Sequence, residues 1–393
     1  MVERFPHKLL SRSLSERLDY FESYTLAHPR LKEANKEITR YIRNSKNGTI
    51  IYLYGPSGVG KTTLLKRLNV ETINETYSAA KADQGCIPVI YVEAPFPESR
   101  NFDWRDFYIR SLTALEEPLI DYKITYGVQG VRRNEDGKLK VEKDTPIRSL
   151  RIALENALRY RNTSVFLVDE AQHFTKMTSG RTYKDQLNCL KSFVNLADVV
   201  LVLGGTYELL TLHDLSDQLC RRGKDVHFKR YFAADSKDMD KFENCVYCLQ
   251  NQMPLKGETN LVQYLDYLYE RSLGCVGILK PWLDSALHDA LFDGTEVLLL
   301  KHLQDNALPA SKCEKILLEA ISGESEVVEK KESVDALRKN LGLSLKSNFQ
   351  SDVKPTEACA ASNSIKPKKS KKRRVGQRKP HRDPVGIPTY EES

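Results

Sequence analysis

Residues 50–68 read IIYLYGPSGVGKTTLLKRL. The first five are continuously apolar and rich in β-branched and aromatic side chains, the pattern of a strand buried on both faces of a parallel sheet. TTLLKRL reads as the opening of a helix. Between them, Gly55-Pro56-Ser57-Gly58-Val59-Gly60-Lys61-Thr62 fits the phosphate-binding pattern G-x-x-x-x-G-K-[ST]. Each part has a physical task. Glycines let backbone N–H groups converge on phosphate oxygens. The helix N-terminus adds a positive dipole end. Lys61 is a point charge for the β- and γ-phosphates, and the Thr62 hydroxyl is a ligand for Mg²⁺. A chance glycine-rich turn would not need a strand before it and a helix after it.

Four further runs repeat the strand signature: PVIYVE (88–93), SVFLVDE (164–170), DVVLVLGG (198–205) and DVHFKRY (225–231). Helical stretches lie between them. The expectation over residues 49–235 is therefore a three-layer αβα sandwich around a central parallel sheet. Residues 121–145, with Asp136-Gly137 between alternating residues, predict an inserted β-hairpin. Residues 236–322 show no buried-strand pattern and predict a small all-helical lid with helices at 237–252, 258–271, 276–291, 295–305 and 312–321. Ser311 and Glu314 are spaced as a capping box for the last of these. Ahead of the sheet, 1–48 predicts two helices, one carrying Leu9, Leu14, Leu18 and Phe21. The other spans Leu31 to Ile42, after the His28-Pro29 break. Residues 323–345 predict one short amphipathic helix, and 346–393 a disordered basic tail.

The 393 residues hold 60 Lys+Arg against 53 Asp+Glu, a formal charge of +7, and are 40% hydrophobic. That apolar share excludes a wholly disordered chain. The charge is local: ten Lys/Arg between Lys366 and Arg382, set against Asp383, Glu391 and Glu392, account for all of it. The body is thus electrically balanced, and the tail is a cationic arm suited to DNA or to an acidic protein surface. No run reaches membrane-spanning length. The charged N-terminus has no signal-peptide core. The eight scattered cysteines suit a reducing, cytoplasmic compartment. Cys245 and Cys248 share a helix face with no second Cys/His pair at metal spacing, so packed helix cysteines are expected rather than zinc.

Four further positions carry chemistry. Asp169 ends a buried strand, where it suits the Mg²⁺ shell, and Glu170 beside it suits orienting a water, which favours hydrolysis over transfer to a small acceptor. Thr206 ends the DVVLVLGG strand and either contacts the γ-phosphate or caps the helix that follows. Arg221 and Arg222 either reach a neighbouring subunit's nucleotide as an arginine finger or belong to a solvated surface. Arg132, Arg133, Lys138, Lys140 and Lys143 surround the hairpin turn and either face DNA phosphates or are offset by Glu135, Asp136, Glu142 and Asp144.

GPSGVGKT, LVDEAQH (167–173), LGGTYEL (203–209) and LCRRGKDVHFKRY (219–231), followed by a helical lid, resemble the AAA+ ATPases. HPRLKEANKEI, VIYVEAPFP and SLGCVGILKPWLDSAL make the chain look like the TniB/TnsC group of transposition ATPases over about residues 25–305. The resemblance implies an ATP- and Mg²⁺-dependent regulator in the bacterial cytoplasm. It would assemble on double-stranded DNA as a homo-oligomeric ring or filament and connect a TniQ- or TnsD-like target selector to a transposase. It implies Walker A roles for Gly60, Lys61, Thr62 and Thr63, Walker B roles for Asp169 and Glu170, sensor 1 at Thr206, a finger at Arg221 or Arg222, and Lys280 at the sensor 2 place. The alternatives are another DNA-loading AAA+ ATPase of origin-recognition or clamp-loader type, or an ATP-locked scaffold with little hydrolysis.

Overall fold

A computed structural model of the chain describes residues 4–45, 48–83, 85–97, 101–115, 131–133, 139–141, 146–176, 190, 192–214, 223–328 and 331–342. The described strands are β1 (Ile50–Tyr54), β2 (Val89–Glu93), β3 (Val131–Arg133), β4 (Leu139–Val141), β5 (Val165–Asp169), β6 (Val200–Gly205) and β7 (Gly223–His227). Five of them form a parallel sheet in the order β2-β5-β6-β1-β7. Crossovers between parallel strands need helices, and those helices make the outer layers.

The two faces of the sheet are sorted by residue parity, as a pleated strand requires. Ile51, Leu53, Val165, Leu167, Val200 and Val202 face α2 (Pro29–Asn44) and α3 (Lys61–Ala82), against Leu31, Ala34, Ile38, Leu64, Leu65 and Leu68. Ile50, Tyr52, Phe166, Val168, Leu201 and Leu203 face the other way, against α4 (Trp104–Ala114), α5 (Ile147–Tyr160) and the helix at 192–197. Burying each such aliphatic side chain contributes about 1.5–3 kcal/mol, which holds the three layers together. β7 departs from the expected doubly buried pattern. It is an edge strand, with Lys224 and Asp225 exposed and Val226 buried, and it stops before Phe228.

The two N-terminal helices separate. Ser13 and Glu16 form a capping box that starts α1 (Leu14–Ser23), and its Phe21 enters the lid core. α2, with proline in its first turn, is part of the α/β layers instead. The lid consists of helices Ser236–Gln252, Leu265–Ser272, Val276–Phe292, Leu300–Asp305 and Ala310–Val327. The expected Ser311/Glu314 box does not form: the last of these helices begins two residues earlier, behind Pro309, without a side-chain cap. Pro309 takes the N-cap place, so Ser311 falls inside the first turn, where its hydroxyl is past the capping position. That helix also runs on to Val327, where a shorter element was expected. Cys245 is buried and Cys248 half-buried on helix Ser236–Gln252. The Cys245 thiol lies 3.7 Å from the Tyr231 hydroxyl.

β3 and β4 pair antiparallel, Arg132 opposite Lys140, so the inserted hairpin is present. Its expected turn at Asp136-Gly137 lies outside the described residues, as do Lys138, Lys143 and the tail 346–393. Lys331–Asn340 is a helix in a second compact unit that begins at Lys330. No described helix is long and apolar enough to cross a membrane.

Candidate nucleotide site

The carboxyl ends of β1, β5 and β6 lie side by side, with the register pairing Tyr54 with Gly205 and Val168 with Leu203. Ligands of open parallel sheets sit at this edge. The 55–60 loop leaves β1 here, and α3 begins directly at Lys61. Gly58 and Gly60 take φ of +75° and +109°, which a side chain would strain, so the glycines of the motif are needed for the loop's shape. Lys61 is 8% exposed, and its Nζ donates to the carbonyl oxygens of Gly55 at 3.0 Å and Pro56 at 2.8 Å. Burial pushes its ammonium below the usual lysine range, while Glu170, Asp169 and Glu319 pull it back up.

Asp169 is buried at the end of β5. One carboxylate oxygen accepts the Tyr91 hydroxyl at 2.9 Å and the other accepts the Glu170 backbone N–H at 2.9 Å. The Tyr91 hydroxyl is pushed up by burial and by that carboxylate. Glu170 holds a left-handed φ of +51°, uncommon outside glycine, and its carboxylate accepts from Gln172 Nε2. Thr206 follows β6. Among the described residues its buried Oγ1 has no hydrogen-bond partner, so the hydroxyl makes no helix cap. A buried hydroxyl without a partner costs about 1–3 kcal/mol, which suits a position whose partner is a ligand.

The lid meets the loop through backbone. Gly277, in the first turn of helix Val276–Phe292, abuts Gly58, and Ile278 fills the space a Gly58 side chain would need. Lys280, one turn further on, is turned away to α1: its Nζ donates to Asp284 at 2.5 Å and lies 4.2 Å from the Phe21 ring. Arg230 follows Phe228, whose ring nears Gly60, and precedes Tyr231, whose N–H donates to the Gly274 carbonyl. Arg230 is paired at 2.8 and 3.1 Å with Glu324 of the last lid helix. Sequence reasoning missed Arg230, Tyr91, Gln172 and Gly277. Only Gln172 carried a local signal, two residues past Glu170 within LVDEAQH. Arg221 and Arg222 lie outside the described residues, and the side chains of Arg132, Arg133 and Lys140 are likewise not described.

The glycine loop, the lysine at a helix start and the two consecutive carboxylates at one strand end lie together at the carboxyl edge of an α/β sheet. Residues 43–212 match the family model of the AAA domain. No curated protein sequence matches the chain. Among solved structures it is similar to a Walker-type ATPase of Pyrococcus abyssi, at 15% identity over 82% of this chain and 80% of that one, with a TM-score of 0.43. It is also similar to the Aeropyrum pernix ORC1 protein in complex with DNA, at 15% identity, 83% and 75% coverage and a TM-score of 0.49. Drosophila ORC bound to DNA gives 15%, 87%, 78% and 0.47 in the same order.

Proposed function

We propose that this chain is an ATPase that regulates DNA transposition, hydrolysing ATP to ADP and phosphate within an oligomer on double-stranded DNA. The observation that carries the hydrolytic part is the convergence of Lys61, Asp169, Glu170 and the unpartnered Thr206 hydroxyl at three adjacent strand ends. The donor set fits a magnesium nucleotide. The loop from Gly55 to Thr63 offers the backbone N–H groups of every residue but Pro56, and the Lys61 ammonium, held by the Gly55 and Pro56 carbonyls, exchanges them for phosphate oxygens. Thr62 and Asp169 would hold Mg²⁺, which when bound neutralises phosphate charge.

Glu170 orients and polarises the attacking water, and Thr206 donates to the γ-phosphate or to that water. Because Lys280 is committed to Asp284, Arg230 is the better candidate for a lid-side cation, freed when Glu324 withdraws. Arg221 or Arg222 completes the site of the neighbouring subunit as its finger. Arg132, Arg133, Lys138 and Lys140 supply phosphate contacts that carry no sequence preference. The basic tail adds a tether.

The transposition role rests on the ordered motif series and on the charge segregated into the tail. It makes a TniQ- or TnsD-like selector and a transposase the partners. Electron microscopy with double-stranded DNA tests it: rings or filaments with ATP and not with ADP are expected, and a monomer in both states overturns it. Glu170→Gln is expected to retain ATP, abolish turnover and trap the assembly. An origin-recognition or clamp-loader relative would assemble without stimulating a transposase, and an ATP-locked scaffold would show equal turnover in wild type and Glu170→Gln.

A further inference from the structure

Gln172 lies in the 3₁₀ turn Ala171–Thr175 that follows β5, and it is buried. The left-handed Glu170 reverses the chain here, so residue 172 comes back alongside residue 170. Gln172 Nε2 donates to Glu170 Oε2, and Gln172 Oε1 accepts the Thr206 backbone N–H at 3.3 Å. The amide oxygen abuts the end of β6: a Cβ on Gly205 would collide with Oε1. The turn is itself held at both ends. His173 Nδ1 lies 3.0 Å from the Ala94 carbonyl oxygen, Thr175 Oγ1 donates to the Gln172 carbonyl at 2.7 Å, and Lys176 pairs with Glu208 at 2.8 Å.

We infer that Gln172 is a positioning residue that fixes the Glu170 carboxylate and ties it mechanically to Thr206. The inference rests on the hydrolytic reading above and deepens it. An amide donates and accepts at once and does not titrate, so it grips both partners across the whole working pH range. Donation to Oε2 leaves Oε1 for a water. Acceptance from Thr206 N–H means that a shift of β6, as the threonine hydroxyl takes up a phosphate oxygen, is passed to the glutamate through one rigid side chain. The nucleotide state sensed at β6 thereby sets the aim of the base on β5.

The test uses the full chain with ATP, Mg²⁺ and double-stranded DNA, comparing wild type, Gln172→Ala and Gln172→Glu. Gln172→Ala is expected to lower kcat by roughly 10- to 100-fold with KM within about twofold, because a misplacement of about 1 Å at a reacting group costs that much. Gln172→Glu, nearly isosteric, puts a second carboxylate beside Glu170. Protonated, it still donates; ionised, it repels. Its activity relative to wild type is therefore expected to fall as pH rises, a trend that a merely structural role would not produce. Should Gln172→Ala fail to fold, the pH trend of Gln172→Glu decides.

Affinity for ADP with aluminium fluoride gives a readout without turnover. It is expected to drop about tenfold in Gln172→Ala while ADP affinity holds. A wild type that turns over ATP and a Gln172→Ala variant that matches it overturn the inference alone. A wild type with no turnover overturns the hydrolytic reading and the inference with it.

Discussion

A Cβ placed on Gly277 would stand 2.5 Å from the Gly58 carbonyl oxygen and 3.2 Å from the Gly60 nitrogen. The lid helix and the phosphate loop thus touch backbone to backbone, and neither side has a flexible chain end that could move aside. Gly277→Ala is expected to push the lid off the loop. The predicted result is a roughly tenfold loss of ATP affinity, about 1.4 kcal/mol, read by calorimetric titration. Unchanged affinity would show that the lid does not shape the site.

Thr206→Val exchanges a buried, unpartnered hydroxyl for a methyl of the same shape. Removing an unsatisfied polar group is expected to raise stability without nucleotide by about 1 kcal/mol. The same change is expected to lower turnover by roughly 10- to 100-fold. Denaturant melts and a phosphate-release assay check the two signs together. A drop in stability would mean that the hydroxyl has a protein partner.

Gly323, in the helix Ala310–Val327, sits against the Tyr207 ring, and an added Cβ would come 2.5 Å from Tyr207 Cβ. That ring is held by a 2.8 Å hydrogen bond to His227 Nε2 and by packing with Tyr54. Gly323→Ala is expected to destabilise by about 1–3 kcal/mol through overpacking, lowering the melting temperature by several degrees. A wild-type melting curve would show that the helix lifts from the sheet without loss.

Acid stability should fall in two windows. Burial pushes the His28 imidazole, stacked near Phe228 and 3.1 Å from the Tyr231 hydroxyl, down to about 4, with Arg30 adding to the effect. Its folded value is depressed, so the stability it contributes is complete above the ordinary histidine value and is lost as pH falls from about 6.5 through about 4. The size is on the order of 3 kcal/mol. His227 is also pushed down to about 4 by burial and adds to the same window.

Glu296 titrates lower, at about 2, chiefly because buried Arg17 hydrogen-bonds to it, with Lys256 helping. Its contribution is present above about 4.5 and is lost as pH falls toward about 2. Urea midpoints measured across pH 8 to 3 check this, and His28→Gln is expected to make the upper window shallower, leaving the share of His227, without moving the lower one. Glu296→Ala is expected to cost about 3–5 kcal/mol at neutral pH, because it strands a buried guanidinium.

The loop between β1 and α3, the three-layer sandwich, the helical lid and the Asp169-Glu170 strand end were legible in the chain alone. The reasons are local. Buried parallel strands are continuous apolar runs, helices keep their own period, and a phosphate loop requires glycine at φ values that other residues resist. The edge character of β7 was not legible, because exposure depends on which strand lies beside it. Lys280 shows the same limit. Sequence distance placed it near the site, but helix phase turned it to Asp284 and Phe21. Arg230 came to the lid side because the chain after β7 passes between Gly60 and Gly274. The link from Glu170 through Gln172 to Thr206 includes a hydrogen bond between residues 34 positions apart, Gln172 and Thr206. It needs β5 and β6 to be neighbours and Glu170 to turn left-handed. Local chemistry was therefore written in the order of residues, while the hydrogen bonds that aim it arise from strand adjacency and helix phase, which only packing decides.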